Sequence, residues 1–220
     1  MNKKKGRTII FLVGIIILVL WHFEVISQWR YFTFADKNFP ESRFSLGDYY
    51  ERVVRSYVAK GRSVYYSFFL KKSEIERLDI FIDQKEISEL NAKLPKSGQE
   101  YKKAKLFHNG EKYTSKIRYR GDNNYHWFFG KKSLKIKLKN KKTLWGHREL
   151  NLTNVKSASY LNEYIGNKLA ENLGLFTIKE HFVEVYLNNV YQGVYLYLEP
   201  LDKVFVESNG LALGSIFSGD

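Results

Sequence analysis

The sequence predicts an α+β domain rich in antiparallel sheet, with one main helix, preceded by an N-terminal transmembrane helix. Three observations carry this expectation. Leu134, Ile136 and Leu138 alternate with Lys135, Lys137 and Lys139, the period of a strand with one apolar and one charged face. Asn109-Gly110 divides two strand-like runs and is a strong hairpin signal, because both residues tolerate positive φ. The apolar run 9–21 follows Asn2-Lys3-Lys4-Lys5-Gly6-Arg7, and positive charge before such a run holds that end in the cytoplasm.

Taken in order, 1–7 is a basic cytoplasmic tail and 8–26 a signal anchor. The run 9–21 is short of the about 20 residues a span requires, so the helix has to continue through His22 and Glu24 to Ile26. Trp21, Trp29 and Tyr31 would sit at the interface. A cleaved signal peptide ending near Val25-Ile26-Ser27 is the alternative. Either reading places the rest of the chain outside the cytoplasm. In the juxtamembrane stretch 27–77, Ser45 is an N-cap with Asp48 three residues on, and Leu46, Tyr50, Val53, Val54 and Tyr57 recur at helical spacing before Gly61.

The domain 78–220 begins with a strand at 78–82 and a helix at 85–94 closed by Pro95. Strands at 103–108 and 111–120 flank Asn109-Gly110. A loop bounded by Gly121 and Gly130 leads to the strand around 134–138, and Asn151-Leu152-Thr153 lies in a further strand. Helix 160–173 carries Leu161, Ile165, Leu169 and Leu173 on one apolar stripe, the face such a helix buries, and Gly174 caps it. A second hairpin turns at Asn188-Asn189, between 182–187 and 190–198.

Composition bounds the function. The 220 residues, 44% hydrophobic, suffice for one core after the anchor. Lys and Arg number 36 against 23 Asp and Glu, a net charge of +13, which favours polyanions: nucleotides, anionic lipid, teichoic-type polymers or nucleic acid. With no cysteine there is neither a disulfide framework nor a thiolate metal site. His181 with Glu184 lacks a second histidine at ligand spacing. The segment Tyr125-His126-Trp127-Phe128-Phe129 is able to stack on a base or sugar, or to pack its loop onto the domain.

Arg118-Tyr119-Arg120-Gly121-Asp122-Asn123, followed by Lys131-Lys132-Ser133-Leu134-Lys135-Ile136-Lys137, resembles the signature region of the CotH family, spore-coat-protein-H-like proteins of kinase-like fold. The resemblance continues through Ala170-Glu171-Asn172-Leu173-Gly174, Val183-Glu184-Val185-Tyr186, Tyr191-Gln192-Gly193-Val194-Tyr195 and Leu198-Glu199, over about 78–220.

The resemblance implies a kinase N-lobe, with ATP and Mg2+ as cofactors. Such a lobe covers the nucleotide phosphates with a loop, holds them with a strand lysine and fixes that lysine with a helix glutamate. By that analogy the covering loop is 120–130, including Arg120 and Gly121. Lys135 is the phosphate lysine, with Lys137 the alternative on the same face; Lys132 lies nearer the loop. Glu163 or Glu171 is the helix partner, and Glu199 falls in the segment that meets the adenine. The metal-binding and proton-accepting carboxylates of a kinase belong to the second lobe, so catalytic residues are not expected within this chain, which the resemblance reads as truncated at the hinge.

Two functions follow as expectations. One is the N-terminal part of a membrane-anchored, exported atypical kinase that phosphorylates a cell-envelope or coat protein. The other is a non-catalytic module that binds a nucleotide or an anionic envelope polymer. Nucleic acid is not the expected partner.

Overall fold

The computed structural model describes residues 45–69, 74–94, 100–121, 126–127, 130–154 and 161–214, together with isolated positions between 11 and 37. The chain divides into two units, Met1–Gly61 and Arg62–Asp220.

In the first unit Trp29, Phe32 and Tyr49 form an aromatic cluster, with ring centroids 5.1–5.6 Å apart and Phe32 and Tyr49 buried. Helix α1, Leu46–Phe69, starts where the sequence places it. Ser45 N and Oγ both donate to Asp48 Oδ2 at 2.7 Å, while Asp48 N donates back to Ser45 Oγ. It runs on through Gly61, and Leu46, Tyr50 and Val54 are exposed.

The expected transmembrane helix is corrected. Among the described residues no helix is long and apolar enough to cross a membrane. The expected span had to take in His22 and Glu24, groups that are costly in hydrocarbon. Much of 8–26, including the apolar centre and Glu24, lies outside the described residues, as does Ser27 of the alternative cleavage site.

In the second unit seven strands close into a barrel. They are β1 Glu76–Ile82, β2 Lys102–His108, β3 Glu111–Tyr119, β4 Leu134–Leu138, β5 Glu149–Thr153, β6 Glu180–Leu187 and β7 Val190–Leu198. Helix α2, Gln84–Ala92, follows β1; α3, Asn162–Asn172, follows β5; α4, Lys203–Ser208, follows β7. The order around the barrel is β1-β2-β3-β4-β5-β7-β6. Neighbours are antiparallel except at the closure, where β1 pairs in parallel with β6, Glu76 opposite Val183 and Ile80 opposite Leu187.

Inward positions are filled by side chains, as a narrow barrel requires. Leu78, Ile80, Leu106, Ile117, Ile136, Leu138, Leu150, Leu152, Tyr195 and Tyr197 are all fully buried. The Asn109-Gly110 turn has φ of 48° and 81°, and Asn188-Asn189 has 50° and 66°, so both hairpins form where the sequence puts them.

Two expectations about this unit are corrected. The sheet is a closed, mostly β barrel and not a kinase N-lobe, because β6 returns to complete the free edge of β1. The main helix, α3, buries none of its residues. Its stripe of Leu161, Ile165, Leu169 and Leu173 is exposed, since the barrel interior is already filled by the strands' own side chains. The helix meets β6 through polar and aromatic edges instead: Asn167 Nδ2 donates to Glu180 Oε2 at 2.8 Å, and Tyr164 packs on Phe182.

Asn188 is a lock on the closure. Its side chain accepts from Ile82 N at 2.9 Å and donates to Ile82 O at 2.8 Å, while its own N–H donates to Ile80 O. Asn188→Ala removes both side-chain bonds and leaves an alanine at φ 50°, an expected loss of about 2–3 kcal/mol. Urea unfolding checks it, with Asn188→Gly separating the bonds from the backbone conformation. An alanine variant as stable as the parent would show that the lock contributes nothing.

Candidate anion-binding site

The chemistry-bearing residues lie in two places, the loop between β3 and β4 and the outer face of strands β2 to β5. The loop is knitted to the barrel through Ser133. Arg120 N donates to Ser133 O, Ser133 N donates to His126 O at 2.8 Å, and Ser133 Oγ accepts from Asn154 N at 2.9 Å. That hydroxyl also lies 2.8 Å from His126 Nδ1. Asn154 Nδ2 donates to Lys131 O, Lys132 Nζ to Trp127 O at 2.9 Å, and the Tyr195 hydroxyl to Lys132 O. Arg120 Nη1 donates to Thr153 Oγ1 at 2.9 Å. Gly121 sits at φ +93° directly against the His126 ring.

Two lysines of this loop turn inward, Lys132, which is buried, and Lys131, which is half-buried; the second has the more unusual surroundings. Its ammonium donates to Val194 O and lies 4.4 Å from the centroid of the Tyr195 ring. Burial lowers its pKa to about 8. Trp127 is buried and packs the loop down; Tyr125, Phe128 and Phe129 of the same cluster lie outside the described residues.

On the outer face, alternation places every second residue of β2, β3 and β4 away from the core. Lys103 stands opposite Lys116, Lys116 opposite Lys137, and Arg118 opposite Lys135. Like charges placed directly across strands repel. Glu149 on β5 offsets part of this repulsion. Its Oε2 lies 2.9 Å from Lys135 Nζ and its Oε1 2.8 Å from Lys137 Nζ. Burial opposes ionisation of Glu149, but the hydrogen bonds from Lys137 and Lys135 outweigh it and hold the carboxyl below the usual range. The same hydrogen bond raises Lys137.

The residues expected from the sequence are only partly brought together. Lys135 and Lys137 share a face and a carboxylate, yet that carboxylate is Glu149 on a strand, not a helix glutamate. Glu163 is exposed in the first turn of α3, and Glu171 pairs with Lys168 at 2.7 Å. Arg120 and Gly121 belong to the knitted loop. Glu199 is buried: its Oε1 lies 2.9 Å from His147 Nε2, its Oε2 accepts from Lys179 N at 2.8 Å, and its backbone N–H donates to Lys179 O. Among the described residues no group of three His, Cys, Asp or Glu side chains could hold a metal ion. The sequence reading missed Glu149, although Leu150 and Leu152 turn inward and so turn Glu149 outward.

The family model described as CotH kinase protein matches residues 117–218, which takes in β4 to β7 and only the last three residues of β3, and leaves β1, β2 and the rest of β3 outside. The inner spore coat protein H of Bacillus subtilis (strain 168) is 34% identical over 90 residues, 40% of this chain. The matched stretch spans 25% of that relative's length.

Proposed function

Because residues 117–218 are a CotH-family segment, we propose that this chain serves in a spore coat or cell envelope, where the outward cations of β3 and β4 hold the phosphates of ATP. In this reading the complete protein carries the terminal phosphoryl group to a hydroxyl of a coat or envelope protein. The location rests on the spore-coat relative, and the transfer on the family's description as a kinase. The observation that carries it is Lys135, which is half-buried and held by Glu149 at 2.9 Å while facing Arg118 across the strand pair. A lysine fixed by a carboxylate is a defined phosphate contact.

The described residues offer no carboxylate set for Mg2+. The ion fits here only as part of the nucleotide complex, where phosphate oxygens supply its ligands. What this chain's residues do is bind and orient: Lys135, with Lys137 beside it, neutralises the phosphates, and Glu149 keeps both ammonium groups in place.

Calorimetric titration with ATP, with and without Mg2+, tests the reading. Lys135→Ala is expected to weaken ATP binding by at least about tenfold, the loss of one charge-assisted contact, with a smaller effect for Lys137→Ala. Unchanged affinity removes Lys135 from the site. A second reading, binding without turnover, is favoured by the exposure of Glu163 on α3 while Lys135 takes Glu149 as its partner. Binding that ignores the base and sugar and needs no Mg2+ would select it.

A further inference from the structure

The cationic face is wider than a nucleotide needs. It extends onto β2, where Lys103 and Lys105 are exposed and outward, and Lys103 continues the row through Lys116 to Lys137. Lys103, Lys105 and Lys116 have no carboxylate partner among the described residues. Arg118 lies over the Tyr101 ring at 5.1 Å, and its Nε is buried without a hydrogen-bond acceptor among the described residues. Glu149, at the far end of the row, is the carboxylate that meets it.

We propose that the outer face of β2, β3 and β4 is a binding surface for a linear polymer of repeating phosphate groups, laid across the strands along the row Lys103, Lys116, Lys137. The row crosses three strands at steps of about 4.8 Å, and outward residues along one strand are about 6.8 Å apart. This grid of charge is matched by a chain of closely spaced anions and exceeds the reach of a single triphosphate. Folding alone gives no reason to place lysines opposite lysines, because each such pair costs stability; a polyanion lying between them reverses the sign.

The side chains select the kind of polyanion. Five of the six cations are lysines, compact point charges that suit phosphate without bidentate geometry. The aromatic side chains beside the row offer no open platform for bases: Phe81 and Phe107 pack edge to face on each other at 5.4 Å, and the Tyr101 ring lies under Arg118 at 5.1 Å. The surface shares Lys135 and Lys137 with the nucleotide reading, but its β2 cations Lys103 and Lys105 lie outside the matched segment 117–218 and belong to this proposal alone.

The test is binding of the full chain to inorganic polyphosphate across a salt series, beside poly-glutamate and single-stranded DNA of matched charge. The parent is compared with a Lys103→Gln, Lys105→Gln double variant. Polyphosphate is expected to bind with a steep salt dependence. The double variant is expected to lose about tenfold in affinity and about two units of the log–log salt slope, one per lost phosphate contact. Its melting temperature should not fall, since both side chains are exposed and like-charge repulsion is relieved, and its ATP affinity should equal the parent's. Unchanged polyphosphate affinity in the double variant overturns the proposal, as does equal binding of poly-glutamate or tighter binding of DNA. Loss of ATP binding in Lys135→Ala, with the β2 effect absent, supports the nucleotide reading alone; the opposite pattern supports this surface alone.

Discussion

Replacing His147 with alanine is expected to lower the unfolding free energy by about 3 kcal/mol. His147 and Glu199 are both buried, with side chains only 3% and 2% exposed, and His147 Nε2 lies 2.9 Å from Glu199 Oε1. On its other edge, Nδ1 lies 3.5 Å from Asp202 Oδ2. Asp202 in turn caps α4, its Oδ1 accepting from Val204 N and Phe205 N. One imidazole thus ties the turn before β5 to the end of β7 and to the start of the next helix. Removing it leaves the Glu199 carboxylate in the interior with one hydrogen bond among the described residues, from the N–H of Lys179. Urea unfolding measures the loss. A His147→Ala, Glu199→Gln double variant should recover much of it, since a lone buried charge costs more than a missing pair. A single variant within about 0.5 kcal/mol of the parent would mean that the pair does not hold this corner.

Gly121→Ala is expected to have the second large effect. A Cβ at this position would stand 2.0 Å from His126 Cδ2, and the residue sits at φ +93°. The His126 ring must leave, and with it the contact to the Ser133 hydroxyl. The expected cost is about 2–3 kcal/mol, part clash and part backbone conformation. Gly121→Ala combined with His126→Gly removes the clash, which includes His126 Cβ at 2.7 Å, and keeps the conformational part. The double variant should therefore be more stable than the sum of the two single changes predicts. Strict additivity would show that the ring and the glycine do not meet. Because the same loop carries Lys131 and Lys132, ATP and polyphosphate titrations of both variants report whether its cations matter to binding.

Local features of this fold were legible in the sequence and non-local ones were not. The alternation of Leu134, Ile136 and Leu138 placed three lysines outward, and both hairpin turns were visible in their asparagines, because a turn's conformation is decided within a few residues. The cap at Ser45 was readable for the same reason. The parallel pairing of β1 with β6 has no local signal, so the strands read as an open lobe and not a barrel. The stripe on α3 has core periodicity but is exposed, because periodicity reports an apolar face and not what covers it. Within the site, the lysines were evident from the strand period. Their partner Glu149 was not, since it is fixed by the register of β4 against β5, with Lys137 opposite Glu149.

Closure of the barrel through β1 and β6 also governs how the protein is made. On the ribosome the first strand emerges early, and its partner Val183 only after four further strands and two helices have been completed. At roughly 5–20 residues per second, the β1 edge stands bare for roughly 5–20 s of synthesis. A bare strand edge is a template for pairing with another chain. The yield of soluble protein should therefore respond to translation speed over 83–187 and to chaperones that cover a single strand edge, while the finished barrel offers no such edge.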